Sequence, residues 1–124
     1  MGFIQTKDLP ELELVKGIRA HVITTDTLSV LHVTLDEGAI LPEHSHHNEQ
    51  VINVIEGELE LTVSGETYIL KPGTVMALEP NAVHSGRALT DCKVIDIFHP
   101  LREDFARAHY NNSNKGRETK DENR

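Results

Sequence analysis

An all-β domain, folded as an antiparallel sandwich or barrel, is what this sequence predicts, and three observations carry the prediction. Hydrophobic residues make up 38% of the 124-residue chain, with no Trp, two Tyr and three Phe, so the core must come from Val, Ile and Leu, which suit short pleated strands. Apolar runs recur between regular turn signals, and no helical stretch is interposed that could carry a parallel crossover. Finally, Glu58 to Val63 alternates strictly, with Leu59, Leu61 and Val63 on one face and Glu58, Glu60 and Thr62 on the other.

Taken in order, Met1 to Pro10 reads as an irregular arm. Glu11 to Val15 and Ile18 to Thr24 are short runs broken by Gly17, both expected at sheet edges. Thr27 to Leu35 places Leu31, Val33 and Leu35 on one face and Leu28, Val30, His32 and Thr34 on the other, before Asp36-Glu37-Gly38 turns the chain. Gln50 to Ile55 is a mostly apolar strand ended by Glu56-Gly57, and Ser64-Gly65 is a two-residue hairpin signal leading into Glu66 to Leu70. Lys71-Pro72-Gly73 turns into Thr74 to Leu78, Glu79-Pro80-Asn81 turns into a strand bearing His84, and Cys92 to Phe98 is the last clear strand. Leu101 to Tyr110 is the stretch able to form a short helix. Residues 1–110 are expected to be a single domain and Asn111 to Arg124, with no apolar side chain to bury, a disordered polar tail.

The formal net charge is −8, and the first 110 residues carry eight basic against seventeen acidic side chains. Such a surface repels phosphate backbones and anionic lipids, so neither nucleic acid nor a membrane is expected as a partner. An anionic substrate would need a strong local positive field. Cys92 stands alone, which excludes an intrachain disulfide, and no apolar leader opens the chain, so a soluble cytoplasmic protein is expected.

Chemistry concentrates in Gly38 to Gly57, GAILPEHSHHNEQVINVIEG. Alternate residues of a strand share a face, so His44 and His46 can aim two imidazoles at one point. Gln50 follows by an even step and offers a neutral oxygen, while Glu49 is off register and faces the other way. His84, from a distant strand, completes a set that reads as a site for a divalent transition metal, with Ni, Mn, Fe and Zn all compatible. Four neutral ligands would leave the full charge of such an ion in the pocket, the positive field an anionic substrate needs.

The spacing of Gly38, His44, His46, Gln50 and Gly57 resembles the first cupin motif, with Gln50 in place of the usual Glu. Gly73 and His84 match the second motif, although Pro80 is one residue late and Asn81 and Ala88 replace its usual Gly and Asn. This resemblance implies a cupin-type double-stranded β-helix, a jelly-roll barrel. Together, HSHHNEQ, EGELELTVSGET, LKPG, PNAVHS and VIDIFHPLREDF are similar to the KdgF family of pectin and alginate catabolism, over roughly Val30 to Phe105. The family opens the ring of 4,5-unsaturated monouronates to give the linear ketonised sugar acid. The likeness implies metal ligands at His44, His46, Gln50 and His84, and acid/base and carboxylate-binding roles for Asp96 and Arg102. It also implies a homodimer.

Asp96 sits between Val94 and Phe98 on an otherwise apolar strand face, and a buried carboxylate needs a partner or a task. The structural alternative is a salt bridge with Arg102 or Arg87. Arg102 offers the planar fork that matches a uronate carboxylate, against a plain surface role near Pro100. Arg87 is a second candidate for that contact and Phe98 for a pocket wall. His21, His32, His47, His99 and His109 lack partners at ligand spacing. The expected function is therefore a metal-dependent cupin that ketonises unsaturated monouronates, a small anionic sugar substrate. A small cupin dioxygenase using the same ligands, or a non-catalytic sugar- or effector-binding cupin, are the alternatives.

Overall fold

Residues 2–105 are described in the computed structural model, and they form the expected β domain. A single 3-10 turn, Thr6–Asp8, precedes ten strands: β1 (Leu12–Val15), β2 (Ile18–Thr24), β3 (Ser29–Leu35), β4 (Ile40–His44), β5 (Glu49–Glu56), β6 (Leu59–Val63), β7 (Glu66–Leu70), β8 (Val75–Leu78), β9 (His84–Ala88) and β10 (Cys92–His99). They pair antiparallel into a six-stranded sheet, β1-β2-β3-β10-β5-β8, and a four-stranded sheet, β4-β9-β6-β7. Residues 103–105 are helical. Leu101 and Arg102, expected in the same helix, are not helical, and its remainder to Tyr110 and the tail expected from Asn111 lie outside the described residues.

The alternation seen in the sequence is what closes the core. In β3 the inward set is Ser29, Leu31, Val33 and Leu35, every second residue, and in β6 Leu59 and Leu61 face in at 6% and 1% exposure. These pack with Ile52, Val54, Val94 and Phe98 between the two sheets. Each fully buried aliphatic side chain contributes roughly 1.5–3 kcal/mol, so the sandwich is held mainly by this layer. The Ser64-Gly65 hairpin takes φ of 47° and 88°, a left-handed pair that matches the twist of β6 and β7.

One placement differs from expectation. β2 is not an edge strand but lies between β1 and β3, with Ile18, Ala20 and Val22 buried. A sheet covered on one face gives its interior and edge strands the same alternation, so the pattern alone does not separate them. The consequence for function is that both sheets feed one end of the barrel: the six-stranded sheet brings Gln50, Asp96 and Phe98, and the four-stranded sheet brings His44 and His84.

Candidate functional site

β4 is an outer strand, paired only with β9. Its ladder sets Ile40 opposite Arg87 and Leu41 opposite Gly86, and then His44 opposite His84. Three steps along β4 match two along β9, so β4 carries one extra residue, a bulge at Pro42 and Glu43. In a regular ladder the odd step from Leu41 would turn His44 outward; because the bulge absorbs one residue, His44 keeps the inner face. Pro42, which has no N–H to donate, is accommodated because it lies in the bulge of an edge strand.

The expectation that His44 and His46 share one strand is corrected, because β4 ends at His44 and His46 lies in the turn before β5. That turn is tied down instead by Asn81, whose N–H donates to the His46 carbonyl oxygen at 2.7 Å. Asn81 has φ of 69°, the left-handed conformation that asparagine tolerates better than other residues with a side chain. It thus fills the position where the motif usually has glycine.

The three imidazoles converge. Ring centroids are 4.2 Å apart for His44 and His84, 5.1 Å for His46 and His84, and 5.7 Å for His44 and His46. Each Nδ1 sits against a backbone carbonyl oxygen: that of Pro42 at 2.8 Å for His44, Asn48 at 3.1 Å for His46 and Ala82 at 2.9 Å for His84. Carbonyl oxygens only accept, so Nδ1 carries the proton and each Nε2 keeps a lone pair. One ligand atom from each ring can be chosen so that all lie within 4.8 Å of one another, an arrangement able to hold a metal ion. Burial, above all, holds the His46 and His84 rings below the usual imidazole pKa, with the positive Arg102 adding to the effect on both.

Two further observations test whether a cation fits. His84 Nε2 is buried with no hydrogen-bond partner among the described residues. His46 Nε2 lies 3.0 Å from Gln50 Oε1, so a ring lone pair and an amide-oxygen lone pair face each other. A divalent ion shared by these donors resolves both, so the residues fit the metal.

Asp96 lies behind Gln50 on β10, opposite Leu31 of β3 and Ile52 of β5. Its Oδ1 is sealed from solvent without a hydrogen-bond partner among the described residues, beside an apolar cavity of about 70 Å³ lined by Ile52, Leu61, Gly86 and Val94. Burial pushes the carboxyl up to about 7, opposed by the Gln50 amide. The salt-bridge reading of Asp96 is not supported, because Arg102 pairs with Asp104 at 3.0 Å and Arg87 with Glu60 at 3.3 Å.

Arg102 sits at the rim. Its guanidinium lies 4.5 Å from the Phe105 ring centroid and 5.1 Å from that of Phe98, and the Phe98 ring is 5.5 Å from His46. Arg87 is a correction: the inward positions of β9 are His84, Gly86 and Ala88, so Arg87 faces out, exposed, on the far side of the sheet. His21 points toward Glu11 and the Pro10 carbonyl, away from the cluster, and His109 lies outside the described residues. A wider concavity of about 700 Å³ lies elsewhere, lined by Glu13, Lys16, Arg19 and Asp36 and lacking the histidines. Sequence reasoning missed Asn48 and Ser29, both almost fully buried; the signal for Asn48 was its even step from Gln50.

Fold and site together define a cupin, and the cupin domain family model matches residues 31–98, a span holding all three histidines, Gln50 and Asp96. More narrowly, the chain belongs to the KdgF family. It is 36% identical over 101 residues to the pectin degradation protein KdgF of Dickeya dadantii (strain 3937), covering 79% of this chain and 92% of that protein. The solved KdgF of a Halomonas species superposes with a TM-score of 0.79 at 29% identity, over 85% of this chain and 98% of that one. An RmlC-like cupin from Shewanella frigidimarina NCIMB 400 does so with a TM-score of 0.80 at 27% identity, over 85% and 96%. Among the described residues, no helix is long and apolar enough to cross a membrane.

Proposed function

We propose that this chain is a metal-dependent cupin that opens and ketonises 4,5-unsaturated monouronates in pectin-related catabolism, as its KdgF relationship suggests. The observation that carries the reading is a solitary inward carboxyl, Asp96, one side chain removed from three converging imidazoles. His44, His46, Gln50 and His84 would hold the metal, which supplies Lewis-acid polarisation of substrate oxygens when bound. All four donors are neutral, so the pocket keeps the ion's full charge and favours an anion despite the acidic surface.

The reaction is an isomerisation. A hydroxyl proton leaves, the ring C–O bond breaks, and a carbon of the former double bond takes up a proton, so atoms and electrons balance. Asp96 is the group able to accept one proton and return one, since its carboxyl lies in the neutral range rather than the usual carboxylate range. Arg102 would hold the uronate carboxylate, exchanging its exposed partner Asp104 for the substrate, while Phe98 walls the pocket. The test is the ultraviolet absorbance of an unsaturated monouronate, which should decay faster with metal-loaded protein than in buffer. Equal decay would end the proposal, and oxygen uptake with a flavonol or diketone would replace it with dioxygenase chemistry.

A further inference from the structure

Four polar residues are at most 5% exposed among the described residues, Ser29, Asn48, Gln50 and His84, whereas Asp96, with one sealed oxygen, is half-buried as a whole. Two of the four belong to the donor set. The other two both serve one short segment, residues 100–102. Asn48 Nδ2 donates to the carbonyl oxygens of Pro100 at 2.6 Å and Leu101 at 3.2 Å. Ser29 Oγ, fully buried, accepts the Arg102 N–H at 2.8 Å. Burying a polar side chain is unfavourable unless it is bonded, and a core of this kind could have used apolar residues at both places. What the two bonds achieve is placement: three consecutive residues past the end of β10 are gripped by their backbone from two sides. Beyond that grip the Arg102 guanidinium lies over Phe98 and Phe105, and the Phe98 ring is itself 5.5 Å from that of His46.

We propose that Asn48 and Ser29 are positioning residues that hold Arg102 at the rim of the site in the orientation that receives a substrate carboxylate. The inference rests on the reading of Arg102 given above. Asn48 also touches the donor set, but through its own carbonyl oxygen, which faces His46 Nδ1 at 3.1 Å. The side chain and the backbone of this residue therefore serve different parts of the site, and substituting the side chain separates them.

The experiment uses the full chain with Asn48→Ala and, independently, Ser29→Ala, the milder change should the first fail to fold. Three quantities are read: Ni²⁺ affinity by calorimetry, the ring-shifted Arg102 side-chain protons and Arg102 amide exchange by NMR, and KM and kcat on an unsaturated monouronate. Nickel affinity is expected within about threefold of the parent, because the backbone contact to His46 persists. The Arg102 ring shifts and amide protection are expected to be lost, and KM to rise about tenfold with kcat little changed, equivalent to about 1.4 kcal/mol of uniform binding. Arg102→Ala placed on Asn48→Ala should then add little, the mark of residues acting through one another. Ring shifts and amide protection that survive in both variants would overturn the proposal. If the parent protein turns over no uronate, the functional reading falls, and the NMR arm alone decides the positioning role.

Discussion

A single carboxyl shows how much one residue's surroundings decide. Asp96 moves from an ordinary value of 3.8 to about 7 because it is buried, the Gln50 amide only partly offsetting this. Below the lower value the group is neutral in both folded and unfolded chains. Between the two, the unfolded chain ionises it and the fold does not, so stability falls as pH rises through this window. In metal-free protein, Asp96→Asn should therefore raise Tm at pH 8, and the gain should vanish by pH 4; a gain equal at both would contradict the burial described. The same variant, metal-loaded, should keep its metal and lose roughly a hundredfold or more in turnover, as expected for loss of a general acid–base. Full activity would remove Asp96 from the mechanism. The position of this residue was legible in the sequence, since Val94 and Phe98 announce a buried face. Its isolation was not, because strand parity says which way a side chain points and nothing about which arginine reaches it.

The strands were legible to within a few residues wherever alternation was clean, as in β6 and β3. Turn chemistry was legible too, and Asn81 shows why the motif survives without its glycine: the position needs a left-handed residue, not an absent side chain. The β4 bulge was invisible. One inserted residue leaves the apolar pattern intact, and Pro42 inside a strand is its single trace. The bulge carries a prediction at the same scale: deleting Glu43 makes the step from Leu41 to His44 even, so regular pairing with β9 should keep His44 opposite His84. Metal affinity should then stay within about threefold, whereas His44→Ala should lower it at least tenfold with the fold retained by circular dichroism. Unchanged affinity in His44→Ala would mean that His44 is no ligand.

For the molecule as a whole, the tension is between an acidic surface and a site built from neutral donors. A metal bound to the folded chain alone stabilises it by about 2.7 kcal/mol at a hundredfold excess over Kd. His46 and His84 have their pKa values lowered by burial, so the folded chain resists protonation that the unfolded chain accepts. Their contribution is complete above the ordinary value of 6.5 and is lost as pH falls through the lowered ones. The Tm difference between Ni²⁺-loaded and chelator-treated protein should thus be wide at pH 7.5 and close by pH 5. A difference that persists at pH 5 would mean that imidazoles are not the ligands. The fold class was legible from composition and turn spacing, and the family from its motifs. The strand order was not: β10 lies between β3 and β5, partners far away in sequence, and such pairings leave no local mark.

The histidines are not equally anchored. His84 belongs to β9, which is flanked by β4 and β6, whereas His44 ends a strand with a neighbour on one side alone, and His46 follows it in a turn. Peeling β4 away breaks one ladder and releases two imidazoles while the third stays in place. Metal exchange in this cupin should then proceed through fraying of that edge, on a timescale set by local opening rather than by unfolding of the barrel.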